Sequence, residues 1–312
     1  MHRSHHYTAL SPPQTMSDIV FLLAPIFVFF LIGFVLQRAR VIDAPASSFL
    51  LKLVYTLTLP ALVLSLFPYV VISQGMLFLP VISGCIVLGT LAAALATGKV
   101  LSMPPKSYAV LASGSMIMNL SIVIPFVKSF YGDEGLSRLV LFDFINGLAA
   151  FTIAYSISCR YGASGHQGIA KRLLSSPPLW ALIAGLLMNF LSLRFNPLSA
   201  NILHSIGELT SPLLLLALGA SIKLSKINPL YLAAGVFTRM VLGFALGLGL
   251  AELFRLQGID RAIAVLCAAA PAGFNTLTFA SLEKLDVDYA TTLVTITMII
   301  AMLIMPILLT LL

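Results

Sequence analysis

Long apolar runs recur from one end of the sequence to the other, and they limit what the chain can fold into. Each run is roughly 20 residues long, the length at which an α-helix crosses the hydrocarbon core of a bilayer. Of the 312 residues, 59% are hydrophobic and only 9% are charged, a balance outside that of water-soluble globular domains. The sequence therefore predicts an all-α integral membrane protein with about ten transmembrane helices.

The predicted spans form two halves of five, separated by a polar linker. The first five lie at residues 19–36, 48–67, 76–96, 107–127 and 138–159, and the last five at 179–193, 201–222, 229–254, 261–281 and 289–312. We expect a flexible N-terminal tail at 1–17, a first five-helix repeat at 18–159, a cytoplasmic linker at 160–178 and a second five-helix repeat at 179–312.

The ninth span, at residues 261–281, is a poor continuous helix. Three alanines lead into Pro271, and Gly273 and Asn275 follow. Proline removes a backbone donor and clashes with the preceding turn, and freed backbone groups are tolerated in a membrane only inside protein or beside a water-filled cavity. The stretch predicts a broken helix that forms a site, and the alternative is a proline-kinked helix that only packs.

The fourth span is interrupted in a similar way. Ala109-Val110-Leu111 opens it as Ala264-Val265-Leu266 opens the ninth, and small residues and then an asparagine, Asn119 or Asn275, follow each triplet. Because each half has an odd number of spans, the second half enters the membrane from the opposite side and the repeat is inverted. Corresponding interruptions in two inverted halves are typical of a transporter binding site, so we expect spans 4 and 9 to break and cross.

The basic residues indicate the orientation. Eleven follow the odd-numbered spans and six lie on the other face with both termini. The eleven are Arg38, Arg40, Lys52, Lys99, Lys106, Arg160, Lys171, Arg172, Lys223, Lys226 and Lys284, and the six are Arg3, Lys128, Arg138, Arg194, Arg255 and Arg261. Since cytoplasmic loops carry the excess of Lys and Arg, both termini are predicted on the outer, periplasmic side.

The two interruptions also indicate the chemistry of a ligand. A helix that restarts at mid-membrane presents free N–H groups and a positive dipole end, which favours a carboxylate. The side chains of Asn119 and Asn275 supply donors and acceptors, and the backbone after Pro271 and Gly273 supplies the freed groups. Ser115 and Thr276 are further candidate ligands, and the alternative is that such hydroxyls bond a carbonyl one turn back.

Charged residues within the apolar spans are the remaining candidates. Arg239 lies near the middle of span 8, and Asp143 and Asn146 lie one turn apart in span 5. An intramembrane charge indicates a functional site, so Arg239 is predicted to anchor an anion and Asp143 to be its counter-charge or a proton carrier. The alternative is a buried Arg–Asp pair that locks two helices. His204 and Glu208 are interpreted as an interfacial pair.

Several other classes of protein are disfavoured. The three cysteines form no paired motif, so neither a disulfide framework nor a metal site is expected. HExxH and Walker motifs are absent, and Gly162-Ala163-Ser164-Gly165 with His166 matches a rhomboid-type pattern but lies in a polar linker. The basic residues lie in short loops rather than in a nucleic-acid patch. We predict no enzyme activity, no cofactor and no nucleic-acid partner.

Several stretches resemble the auxin efflux carrier family, the bacterial permeases related to plant carriers of the PIN type. They are the opening PIFVFFLIGFVLQRARVIDAPASSFLLKLVYTLTLPALVLSLF, with its Leu-Pro-Ala-Leu at 59–62, then PLLLLALGASIKL at 212–224 and APAGFNTLTFA around Pro271 and Asn275. The resemblance covers nearly the whole chain from about residue 18. The sequence departs from the family pattern at Met116, where symmetry with Pro271 would suggest proline.

The resemblance implies an architecture like that of the bile-acid symporters. Spans 1, 2, 6 and 7 would form a scaffold that makes a homodimer, and spans 3–5 and 8–10 a mobile transport domain that moves as an elevator. It also implies a plasma (inner) membrane carrier, in contact with lipid, for a small organic anion such as a carboxylate, with proton or sodium as a possible coupling ion. The alternatives are a sodium-coupled carrier of the bile-acid symporter type and a membrane sensor or scaffold without transport.

Overall fold

The computed structural model describes residues 16–163 and 176–312, which are mostly helical and include no β-strand. The first part contains α1 (Met16–Arg38), α2 (Ala44–Leu53), α3 (Leu59–Leu66), α4 (Gln74–Val100), α5 (Pro105–Met116), α6 (Val123–Ala149) and α7 (Tyr155–Tyr161). The second part contains α8 (Pro177–Phe190), α9 (Pro197–Glu208), α10 (Thr210–Ala220), α11 (Pro229–Val236), α12 (Leu242–Leu253), α13 (Gly258–Ala268), α14 (Phe274–Leu282) and α15 (Val287–Leu311). Short π-helical turns join α2 to α3 (Val54–Thr58), α6 to α7 (Ala150–Ala154) and α11 to α12 (Phe237–Val241).

Seven helical stretches in the described residues are long and apolar enough to cross a membrane. They are Phe21–Arg38, Pro45–Tyr69, Gln74–Val100, Leu120–Tyr161, Pro197–Ala220, Pro229–Leu253 and Val287–Leu311. The all-helical membrane fold predicted from the sequence is confirmed, and the count of ten spans stays a prediction. The predicted tail at 1–17 lies outside the described residues except for Met16 and Ser17, which begin α1. Of the predicted linker at 160–178, residues 164–175 lie outside the described residues.

Both interrupted spans are broken helices. In the fourth, α5 ends at Met116 and a 3₁₀ turn begins only at Leu120. In the ninth, α13 ends at Ala268 and α14 begins at Phe274. The chain between the two parts of each span is not helical, so a continuous proline-kinked helix is excluded for residues 261–281.

A glycine separates the fourth span from the fifth. The helical stretch Leu120–Tyr161 has 42 residues, about twice what a single crossing needs. Gly132 interrupts it with φ +55° and ψ −148°, a conformation that side chains with a Cβ rarely adopt. The connection between the two spans is therefore a break at one residue, and Asp133 already lies in the following helix.

The helices pack in two groups. One contains α1, α2, α3, α8, α9 and α10, and the other contains α4 to α7 and α11 to α15. Contacts between the groups run mainly through α6. The first group contains the spans of the predicted scaffold and the second those of the predicted transport domain, and the roles and relative movement of the two groups stay predictions.

The crossing of α1 and α10 depends on two glycines. A Cβ at Gly33 would lie 2.1 Å from the carbonyl oxygen of Leu216, and one at Gly219 would lie 2.0 Å from that of Phe30. Small residues at such crossings let two helix backbones approach closely, which is a main source of helix association in membranes. These glycines therefore set the distance between α1 and α10.

We predict that Gly219→Ala destabilises the protein by about 1–3 kcal/mol, the usual cost of forcing extra atoms into a packed contact. Gly249→Ala is the matched control, because Gly249 is also helical and a Cβ there has no neighbour within 4 Å. Unfolding of the purified proteins in detergent measures the difference. Equal stability of the two variants would contradict the close crossing.

Candidate functional site

The two helix breaks meet and pair through their backbones. Met118 and Ala272 form an antiparallel bridge. The N–H of Asn119 donates to the carbonyl of Pro271 (2.8 Å), and the N–H of Gly273 donates to the carbonyl of Ile117 (3.0 Å). A helix break inside a membrane leaves backbone donors and acceptors that water does not reach. Here each break supplies hydrogen-bond partners for some of the backbone groups of the other.

Side chains from the following spans complete this pairing. Asn146 on α6 accepts from the N–H of Met118 (2.9 Å) and donates to its carbonyl (3.0 Å). The same amide nitrogen donates to Asp143 Oδ1 (2.8 Å). On the other side, Thr297 of α15 accepts from the N–H of Ala272 (3.2 Å). The predicted pair Asp143 and Asn146 thus lies at the crossover, and Asn146 holds its backbone.

Arg239 binds the ends of both first half-helices. It lies in the π-helical turn of the eighth span and is fully buried. One terminal nitrogen donates to the carbonyl of Ser115 (3.0 Å) near the end of α5, and the other to the carbonyl of Ala268 (2.7 Å) at the end of α13. Helix C-termini carry unpaired carbonyls and a partial negative charge, so a single guanidinium stabilises both.

Two neighbours of Arg239, Gly243 and Thr238, help to hold its side chain against the crossover. A Cβ at Gly243 would lie 2.2 Å from its terminal nitrogen, so glycine leaves the space that the guanidinium occupies. Thr238, beside it on the turn, shares a 2.6 Å hydrogen bond with the hydroxyl of Ser115. π-helical turns are rare and frequent at functional sites, and this one places both side chains against α5.

A cavity of about 920 Å³ opens beside the crossover, between the two groups of helices. Asn119, Gly273 and Asn275 line it at the breaks, and Thr278 and Ser281 continue the same face of α14. Gly273 is the N-terminal cap of α14, and no side chain within 16–163 and 176–312 caps this end. The first N–H groups of α14 therefore start at the cavity wall, where a helix N-terminus favours an anion.

The side chain of Asn119 is buried, yet its amide nitrogen has no hydrogen-bond partner among the described residues. An unpaired buried donor costs about 1–3 kcal/mol. Asn119 lies on the cavity wall next to the N-terminal end of α14, so a ligand at this wall is a candidate partner for the donor. A buried donor and a helix N-terminus on one cavity form a candidate anion site.

The nine site residues predicted from the sequence divide between the cavity and the packing behind it. The cavity is lined by Asn119, Asn275, Gly273, Asp143 and Asn146. Four others are not among its lining residues: Arg239, Ser115, Pro271 and Thr276. Thr276 is buried beside Gly114 of α5, and direct contact of these four with a ligand stays a prediction.

The described residues contain no ion pair between Arg239 and Asp143, because the arginine uses its terminal nitrogens on carbonyls. His204 and Glu208 lie 3.6 Å apart, and Glu208 also pairs with Lys128 (2.9 Å). These three do not line the cavity.

The rhomboid-like Gly162-Ala163 follows α7, and its Ser164 and His166 lie outside the described residues. No group of three metal-binding side chains occurs within 16–163 and 176–312.

Residues that the sequence did not single out complete the cavity. Lys52 of α2 and Lys223 after α10 line it from the first group of helices, and both are exposed. Tyr55 lines it as well and shares a 2.8 Å hydrogen bond with Ser176. Lys52 lies near the start of span 2 and Lys223 just after the end of span 7, so both belong to the basic residues that indicated the cytoplasmic face. Their shared place on that face is the signal that could have identified them.

We predict that Arg239→Gln destabilises the protein by about 3 kcal/mol or more, because two hydrogen bonds from a charged donor are lost and two buried carbonyls remain unpaired. Arg261→Gln is the control, since Arg261 forms an exposed pair with Glu252 that contributes about 0–1 kcal/mol. Unfolding in detergent measures both variants, and wild-type stability of Arg239→Gln would contradict the proposed carbonyl contacts. In a folded Arg239→Gln protein, normal anion affinity would assign Arg239 to packing, and weakened affinity would support an anion anchor.

A family model described as membrane transport protein matches residues 18–169 and 166–309. An uncharacterized transporter of Methanocaldococcus jannaschii is 26% identical over 184 residues, which are 55% of this chain and 58% of the relative. An uncharacterized transporter of Methanothermobacter thermautotrophicus is 22% identical over 290 residues, 90% of this chain and 94% of the relative. The chain thus spans little more than half the length of the first relative and nearly all of the second. It belongs to the membrane transport protein family, the auxin efflux carrier family that its motifs resemble.

Proposed function

We propose that the protein is a secondary carrier that moves a small organic anion, such as a carboxylate, across the plasma (inner) membrane. The observation that carries this proposal is the unpaired amide nitrogen of Asn119 beside the N-terminus of α14 on one cavity wall. Both groups donate hydrogen bonds, and the helix end adds a positive dipole. A carboxylate accepts several hydrogen bonds through its two oxygens and therefore suits this wall.

The charges around the cavity support an anion. Lys52 and Lys223 line its exposed part, and positive charge at the mouth of a cavity raises the local concentration of anions. By the distribution of basic residues, this side faces the cytoplasm and both termini face the periplasm. The cavity therefore attracts anions at its mouth and offers them hydrogen-bond donors at the crossover.

The position of the cavity supports an elevator-type cycle. One wall belongs to the scaffold group, with Tyr55 and Leu214, and the other to the group that contains both broken helices. A substrate held mainly by Asn119 and Asn275 would move with the second group, so the crossover would travel as one unit across the membrane. The scaffold group would remain fixed and would form the homodimer.

Within this proposal Arg239 positions the crossover from behind. It binds carbonyls at the C-terminal ends of both first half-helices, and the Met118–Ala272 bridge lies just beyond them. A rigid connection of this kind keeps the two halves of the site together during a large movement. Direct contact of Arg239 with the substrate is a second possible role, and the anion affinity of Arg239→Gln tests it.

We predict that Asn275→Ala and Asn119→Asp both weaken carboxylate binding about tenfold to a hundredfold, the loss expected for about 1–3 kcal/mol of hydrogen bonding. Asn119→Asp keeps the shape of the side chain and adds a negative charge, so it should be the more severe change for an anion. A thermal-shift screen of short carboxylates with purified protein finds the ligand, and uptake into proteoliposomes measures transport.

Asn201→Ala is the matched control, because Asn201 is exposed on α9 and does not line the cavity. It should transport like the wild type. Unchanged transport by Asn275→Ala would remove this residue from the site. Tighter binding of a cation by Asn119→Asp, with no loss of anion binding, would contradict an anion carrier.

A further inference from the structure

Asp143 places a carboxylate in the cavity that we propose for an anion. It lines the cavity and accepts a hydrogen bond from Asn146 (2.8 Å). Among the described residues Asp143 forms no ion pair. When ionised, Asp143 is thus a negative charge in a site whose other features favour a negative ligand.

The titratable groups around Asp143 do not neutralise it. Tyr55 in the π-helical turn of the second span and Cys267 of α13 are the titratable side chains that interact electrostatically with Asp143. Both are neutral at physiological pH in their ordinary state. Lys52 of α2 and Lys223 after α10 are the cations along the cavity, and both are exposed and outside ion-pair distance.

A short path of contacts joins Asp143 to the anion site. Its carboxylate binds the amide of Asn146, the same amide binds both backbone groups of Met118, and Asn119 is the next residue. Two negative charges on the wall of one cavity disfavour each other, and a proton on one of them relieves the repulsion. The bound anion and the ionised form of Asp143 are therefore in competition.

We propose that Asp143 binds a proton when the anion binds at the crossover, so that the two cross the membrane together. This inference rests on the proposed carrier function and names its coupling ion. The proton enters from the water of the cavity mouth and adds to a carboxylate oxygen of Asp143. It leaves to water on the opposite side when the anion dissociates. One proton and one negative charge of the substrate move per cycle.

The first test is independent of the substrate. Infrared titration of the purified protein detects the carbonyl band of a protonated carboxylic acid, and Asp143→Asn identifies the contribution of this residue. We expect a band that disappears as the pH rises, that is missing in Asp143→Asn and that persists in Asp288→Asn, the control with an exposed aspartate. The absence of any difference between wild type and Asp143→Asn from mildly acidic to mildly alkaline pH would overturn the proton site.

The second test uses the carboxylate with the largest thermal shift, with malonate and acetate as the first probes. Its affinity for the wild type should fall about tenfold for each pH unit once Asp143 is ionised, because binding and protonation are linked reciprocally. Asn resembles the protonated carboxyl, so Asp143→Asn should keep the higher affinity at every pH. The same titration with sodium replaced by choline should give the same result.

The outcomes separate the two proposals. Binding of a carboxylate with no dependence on pH overturns the coupling and leaves the carrier function. Dependence on sodium instead of pH overturns the proton and favours a sodium-coupled carrier. If no carboxylate binds at any pH, the carrier function fails and the coupling fails with it.

Discussion

The structure depends on the backbone hydrogen bonds at two helix breaks. A break at mid-membrane exposes peptide groups that neither lipid nor a continuous helix can satisfy. Here the two breaks pair with each other through the bridge between Met118 and Ala272. Arg239 binds carbonyls on one side, and Asn146 binds both backbone groups of Met118. Within the described residues, the amide nitrogen of Asn119 and the N-terminus of α14 remain unpaired at the cavity wall, and they are therefore the candidate partners of a ligand.

The inverted repeat determines which elements form these contacts. Arg138, at the start of the fifth span, binds Asp260 at the start of the ninth, and Ser107, at the start of the fourth, binds Asp286 before the tenth (2.6 Å). Each pair joins one broken helix, at its end far from the break, to the opposite repeat. At the centre the symmetry is imperfect, because Asn146 makes two contacts with Met118 where Thr297 makes one with Ala272. Among the described residues that line the cavity, the one carboxylate is Asp143 of the first half, and this difference underlies the proposed proton coupling.

The sequence predicted the breaks better than the contacts made at them. Pro271, Gly273 and the two asparagines marked both interruptions because they are local departures from a helical apolar pattern. The partners of Arg239 were not predictable, since a buried arginine is equally compatible with an anion, a carboxylate or carbonyls from helices far away in the sequence. Lys52 was counted only as a loop charge, because its place on the cavity wall depends on packing between the two halves. A helix break can be predicted from a few neighbouring residues, whereas contacts between residues far apart in the sequence become visible only in the folded structure.

The most direct test of the central claim is an electron cryomicroscopy map of the protein with its best-binding carboxylate. We predict density for the anion at the crossover, within hydrogen-bond distance of the Asn119 side chain and of the first N–H groups of α14. The Met118–Ala272 bridge should remain intact in that map. An anion bound elsewhere in the protein, with the amide of Asn119 bonded to another protein group, would contradict the claim that the paired breaks form the binding site.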